Sequence, residues 1–214
     1  MSTRNENERV RRIMDRDAPR YDRQMNFFDR ALFTGGREWA CAGAEGDVLE
    51  IAIGSGRNLP VYPKGTSLTG VEFSAEMLKL ATRRAAELGT DVDLRLGDAQ
   101  GLEFADERFD TVVCTLALCT IPDPGSAVSE AYRVLRPGGT FRALEHVRSP
   151  APLVRGIQRV LDPLSVRFAA DHLVREPLDY LHAAGFEIEH LERSKWGIVE
   201  RVVARKPASG RDAN

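Results

Sequence analysis

Val48–Asn58, VLEIAIGSGRN, is the stretch on which the reading of this chain turns. Apolar residues surround a lone acid, Glu50, and Gly54-Ser55-Gly56 follows them. A short apolar run bounded by glycines is a buried strand entering a tight turn, and glycines there leave room for a ligand. In an open parallel sheet ligands bind beyond the carboxyl ends of strands, which places this turn at a binding edge. A glycine turn alone would also suit a dinucleotide. However, the GxGxxG spacing is missing, and an acid just before the turn is unfavourable beside a pyrophosphate. Beside the amino group of an amino acid it is favourable.

Working outward, strands and helices alternate. Segment 47–53 is the first strand, 67–73 the second, 92–97 the third and Phe109–Cys119 a fourth, almost continuously apolar. Between the second and third, Ser74 caps a helix with Glu76 in its first turn and Gly89 at its end. A helix over 124–135 stops at Leu135-Arg136-Pro137-Gly138-Gly139, before the strand TFRALEHV. This order calls for a doubly wound, Rossmann-like α/β fold with a mostly parallel sheet. Residues 151–184 read as helical, interrupted at Pro163 and Pro177; strands 186–193 and 197–205 then form a hairpin, so the last strand is antiparallel. Residues 1–45 read as two short amphipathic helices broken near Ala18-Pro19.

The 214 residues suit one domain, with a helical lid at 1–45, a core at 46–147, substrate-side helices and a hairpin at 148–206, and a flexible tail at 207–214. A net charge of -2 gives no reason to expect nucleic acid or an acidic membrane surface as partner. No apolar stretch follows the charged start MSTRNENERVRR, and no run suits an integral membrane span, so a cytoplasmic enzyme is expected. Cys41, Cys114 and Cys119 lack CxxC spacing, which argues against a disulfide framework and a metal site. Cys114 reads as a small buried hydrophobe, whereas Cys119, near the end of its run, approaches a pocket.

Two further carboxylates narrow the ligand. Glu72 ends the second strand, where it can accept both hydroxyls of an adenosine ribose. Gly97-Asp98-Ala99-Gln100 ends the third, placing Asp98 where it can accept from an adenine amino group. Glu50, the glycine turn, Glu72 and Asp98, in this order, resemble the class I S-adenosylmethionine-dependent methyltransferases. The likeness continues through FDTVVCTLALC and LRPGG and covers roughly residues 45–147.

The resemblance implies that Glu50, Gly54 and Gly56 frame the methionine part of S-adenosylmethionine and that Glu72 holds the ribose. Phe73 and Met77 would flank the adenine, Gly97, Asp98 and Ala99 would read its edge, and Thr115 would lie near the sulfonium. Where the family usually has glycine this chain has Ala52, whose methyl group should crowd the turn. Residues 14–39 resemble the lid of ubiquinone and menaquinone C-methyltransferases, at Ala18, Tyr21-Asp22, Met25-Asn26, Gly36 and Trp39. In contrast, CTLALCTI, LRPGG, LEHVRSP and VLDP (160–163) resemble alkyl thiol methyltransferases, and bacterial phosphatidylethanolamine N-methyltransferases have similar cores.

Tyr21 is a candidate to close over the cofactor and the reacting group, its ring face near the sulfonium; the plainer reading is a packing aromatic. Asp22 reads as a surface or capping carboxylate. His146 ends the fifth strand and could deprotonate or orient an acceptor, while alternation turns Glu145 to the other face. Cys119, His146 and His172 are the candidate substrate residues, although His172 alone reads more simply as surface. Asp162 reads as a helix cap, and Arg155, Arg159 and Arg167 as a solvated helix face. The expected reaction is in-line transfer of a methyl group to a small molecule, possible acceptors being a thiol, a quinone or phenol, or an amine of phosphatidylethanolamine type. A nicotinamide-dependent oxidoreductase should show GxGxxG and a Tyr-Lys pair, and neither is evident; a non-catalytic binding module is the third reading.

Overall fold

Strands β1 (Asp47–Ile51), β2 (Ser67–Glu72), β3 (Asp93–Leu96), β4 (Phe109–Thr115), β5 (Leu135–His146), β6 (Glu187–Ser194) and β7 (Val199–Arg205) form one sheet. Their order is β3-β2-β1-β4-β5-β7-β6. The computed structural model describes residues 3–208, so the tail expected at 207–214 lies mostly outside the described residues. Strands β1 to β5 pair in parallel, and β7 is antiparallel to both β5 and β6. The strand order reverses between β1 and β4, where a crevice opens above the sheet. Val48, Leu49 and Ile51 of β1 and Val112, Val113 and Cys114 of β4 are fully enclosed, because helices cover both faces.

Helix α3 (Ala75–Leu88) begins as its sequence prescribes: Ser74 Oγ accepts from the Met77 N–H at 3.1 Å. Helix α4 (Pro124–Val134) is capped by Asp123 and ends one residue early, because Leu135 already pairs with Phe109 in the sheet. Strand β4 is also shorter than its apolar run. It stops at Thr115, and Leu116 turns the chain at φ 54°. The Glu145 carboxylate takes the N–H groups of Ala117 (3.0 Å) and Leu118 (3.1 Å) that a longer strand would have given to its neighbour.

Proline misleads at two places. Residues 3–31 form one helix, α1 (Thr3–Ala31), with Pro19 inside it rather than at a break. Pro19 is exposed, and the helix is tied down on both sides of it. Ser74 Oγ donates to Asp15 Oδ1 at 2.5 Å, and Ser55 Oγ donates to Asp22 Oδ1 at 2.6 Å. These ties offset the one backbone bond that proline removes. Helix α2 (Gly36–Ala42) follows. Likewise α5 (Pro152–Ala169) runs through Pro163, and Asp162 caps no helix; its Oδ1 accepts from the Leu173 N–H at 2.7 Å. Helix α6 (Pro177–Ala184) does start at its proline. No described helix is long and apolar enough to cross a membrane.

Ala52 opens the turn after β1 at φ 52°, in the left-handed region. The cost of its methyl group is therefore backbone strain of about 1 kcal/mol or more. Ala52→Gly should raise stability by about 1 kcal/mol and the thermal midpoint by roughly 2–4 °C. A midpoint that stays level or falls in a circular-dichroism melt would show that the turn holds no such strain.

Candidate cofactor and acceptor site

The crevice encloses a cavity of about 430 Å³, within the size range of small-molecule sites. Tyr21 of α1 lines it, with Gly54 from the turn after β1, Glu72 and Phe73 from the end of β2, and Met77 from α3. Gly97, Asp98, Ala99, Thr115, Cys119 and His146 complete the set that the sequence places there. Glu50, Gly56 and His172 are not among the lining residues.

Each absence has a physical cause. Gly56 sits at φ 76°, and a Cβ on it would meet Leu59 Cδ1 at 2.9 Å and the Ala81 backbone at 3.1 Å. Its role is to let α3 approach the turn. Gly54 is the open one; a Cβ there would meet nothing nearer than Ala52 O at 4.0 Å. Glu50 is buried behind the cavity, receiving Asn58 Nδ2 and Tyr62 Oη at 2.8 Å each. Burial pushes its carboxyl up to about 7, although Tyr62, Arg37 and Asn58 favour the charged form. Ala170 ends α5 in a left-handed conformation, and it is Asp171, not His172, that lines the cavity.

Glu72 bridges two turns. Its Oε2 accepts the Gly54 N–H and its Oε1 the Ser74 N–H, both at 2.8 Å. Each oxygen retains a lone pair for a ligand. Burial raises its pKa, against the pull of these backbone donors. Asp98 Oδ1 accepts from the Gln100 N–H at 2.9 Å, and Oδ2 accepts Asn7 Nδ2 at 3.1 Å. Asp22 stays partly exposed and caps no helix; it joins Ser55, Arg57 and Arg84 and ties α1 over the turn. Tyr21 is held neutral because burial pushes its phenol up to about 12, so it can donate a proton bond but not act as a base near pH 7.

Arg37 escaped the sequence reading. Its Nη1 donates to Asn58 Oδ1 (3.0 Å) and Thr115 Oγ1 (3.1 Å), and its Nε donates to Asp29. The Nη2 group is buried without a hydrogen-bond partner, and the residue lines the cavity. An unpaired guanidinium nitrogen there suits a carboxylate. Nothing local marked Arg37 among 30 basic residues.

At the other end, His146 Nε2 and Asp171 Oδ1 lie 2.8 Å apart. Burial favours the neutral ring, but Cys119 and the Asp171 carboxylate reverse this and hold the His146 pKa well above its ordinary value. Burial pushes the Cys119 thiol up to about 11. One ligand atom from each of Cys119, His146 and Asp171 falls within 4.8 Å of the others, a set that could hold a metal ion. Spacing along the chain does not reveal it, because the three residues come from separate segments.

A methyltransferase-domain family model matches residues 49–143. A thiol S-methyltransferase of Homo sapiens is 32% identical over 188 residues, spanning 84% of this chain and 77% of that one. The chain belongs to the class I S-adenosylmethionine-dependent methyltransferases. A demethylmenaquinone methyltransferase of Lactiplantibacillus plantarum is 32% identical over 69% of this chain and 67% of its own. A phosphatidylethanolamine N-methyltransferase of Cereibacter sphaeroides is 41% identical over 111 residues, half of this chain and 55% of that protein's length. In fold, the methyltransferase is similar to a solved S-adenosylmethionine-dependent methyltransferase from Thermotoga maritima, described as a possible histamine N-methyltransferase. The TM-score is 0.72 at 23% identity, covering 92% and 99% of the two chains.

The residues present fit the cofactor of this family: an open glycine, a doubly anchored carboxylate with free lone pairs, and an unpaired guanidinium nitrogen. The buried Glu50 of the methyltransferase also has a pH signature. A carboxyl raised from 4.5 to about 7 by folding adds stability below pH 4.5 that disappears as pH rises through 7. Glu50→Gln removes this dependence. Its stability relative to the parent should improve by about 3 kcal/mol between pH 4 and pH 8. Chemical denaturation across that range measures it; parallel curves for the two proteins would mean that Glu50 does not titrate there.

Proposed function

We propose that the methyltransferase transfers a methyl group from S-adenosylmethionine to the sulfur of a small apolar thiol. The His146–Asp171 pair at one end of the cavity carries this reading, because a thiol needs only to lose its proton before attack. The thiol relative, which matches 84% of the chain, supports it.

When bound, S-adenosylmethionine supplies a methyl carbon activated by the sulfonium and open to in-line displacement. The chain's own residues do the rest. Arg37 Nη2 would hold the methionine carboxylate, Glu72 the ribose hydroxyls, and Asp98 with Ala99 and Gly97 the adenine edge, with Phe73 and Met77 beside the base. Thr115 would face the sulfonium, and Tyr21 of α1 would cover the reacting atoms and exclude water. Asp171 engages Nε2 of His146 and helps to keep the ring charged, which leaves Nδ1–H to donate to the acceptor sulfur. The charged imidazole would stabilise the thiolate left when the acceptor thiol loses its proton to solvent, and that thiolate would be the nucleophile that accepts the methyl group. Cys119 borders the acceptor. Alignment in such a closed site can supply roughly 7–11 kcal/mol of the rate enhancement.

Arg37→Met should weaken S-adenosylhomocysteine binding by about 10- to 100-fold, the worth of a charge-assisted hydrogen bond. Unchanged calorimetric affinity would remove Arg37 from the cofactor site. His146→Gln should lower kcat/KM for a thiol acceptor by roughly 10²–10⁴ with cofactor affinity kept. Asp171→Asn should bring the imidazole titration, followed by NMR, down toward its ordinary value of about 6.5. A panel of radiolabelled transfers to thiol, amine, phenol and quinone acceptors decides the substrate class. Turnover of an amine but no thiol would favour the reading suggested by the phosphatidylethanolamine relative, and no turnover at all a binding module.

A further inference from the structure

Helix α5 is built inside out. The positions turned toward the protein include Gln158, Asp162 and Ser165. Gln158 Nε2 donates to the carbonyls of Val147 (2.9 Å) and Leu173 (3.0 Å), and Asp162 accepts from Leu173. Leu153, Ile157, Val160, Leu161, Leu164 and Phe168 are exposed, Leu153 to 79% and Val160 to 74%. At helical spacing these six share an arc of roughly 100°. No residue of α5 is buried, so the stripe contributes nothing to the core. A continuous uncovered apolar stripe marks a surface that meets something else.

The charges on the helix indicate what that is. Arg167 is exposed at one edge of the stripe, Arg159 is exposed further round the same flank, where its long side chain can snorkel back toward an interface, and Asp162, the one acid of α5, is turned inward. A second copy seated on this face in a twofold contact would bring arginines together with no exposed acid of α5 to pair them. An anionic bilayer would accept both the apolar stripe and the arginines. The net charge of -2 does not oppose this, because charges beyond roughly 10 Å are screened and only the local pattern is felt.

We propose that α5 is a docking surface for an anionic lipid bilayer, with its apolar stripe in the interface and Arg159 and Arg167 at the level of the phosphates. The inner side of the same helix, at Gln158 and Ala169, lines the cavity, so an acceptor dissolved in the bilayer would reach the site from beneath it. That last point rests on the proposed methyl transfer, but the docking itself does not.

Sedimentation of the full chain with vesicles tests it, using phosphatidylcholine alone and phosphatidylcholine mixed with phosphatidylglycerol. Binding to the mixed vesicles should be about tenfold tighter or more, the effect of two arginines near an anionic surface. Arg159→Gln with Arg167→Gln should abolish the preference, and Leu153→Gln with Val160→Gln and Leu164→Gln should abolish the binding. Retained S-adenosylhomocysteine affinity shows that the triple variant is folded and the cofactor site separately intact; if it is lost, Val160→Gln alone repeats the test. Failure of the parent to bind the mixed vesicles, equal binding to both kinds, or undiminished binding by folded variants would overturn the proposal. So would a dimer, seen by light scattering, that the triple variant dissociates.

Discussion

The carboxylate of Glu72 holds two turns at once. One oxygen takes the N–H of Gly54 after β1, and the other takes the N–H of Ser74 before α3. Neither turn is regular structure, so neither has ladder partners for these donors, and a buried donor left unpaired is costly. The single carboxylate satisfies both and fixes their separation. Ser74 is then placed to cap α3 through Met77 and to tie α1 through Asp15, so α1, α3 and the glycine turn share one anchor. The lone pairs that remain on Glu72 face the cavity residues that the turns position.

A second layer depends on charge. Asp22 and Asp29 of α1 engage Arg57, and Asp29 also reaches Arg37, while Arg84 of α3 meets Asp22. A mostly polar helix with low core burial is thereby held over the crevice. The pairs are partly enclosed, which shields them from the screening that makes exposed ion pairs weak. Behind them Glu50, Asn58 and Thr115 form a chain of hydrogen bonds that orients Arg37. Glu50 therefore serves the cavity at one remove, through the side chains it positions.

Much of the core was legible along the chain. Apolar runs bounded by glycine specify β1 and β4, and Ser74 with Gly89 delimits α3 nearly to the residue, because these are local preferences with local signals. Prolines 19 and 163 misled because a proline removes one backbone bond, and contacts from distant residues decide whether the helix continues. The end of β4 was misplaced for a related reason: Glu145, remote in sequence, captures the N–H groups of Ala117 and Leu118. In the cavity, Phe73, Asp98 and Thr115 follow strand ends and were readable, whereas Arg37 and Asp171 follow none.

By itself, then, the sequence determined the order of strands and helices, the edge of the sheet at which the cavity opens, and two carboxylates that line it, Glu72 and Asp98. These depend on periodicity and on turns, which involve residues close together in the chain. Only the tertiary structure decided that Glu50 is sealed behind the cavity, that Asp171 rather than His172 lines it, and that α5 faces its apolar side outward. Those outcomes depend on which surfaces meet after folding. An amphipathic pattern states that a helix has two faces, but only packing decides which of them is turned toward the protein.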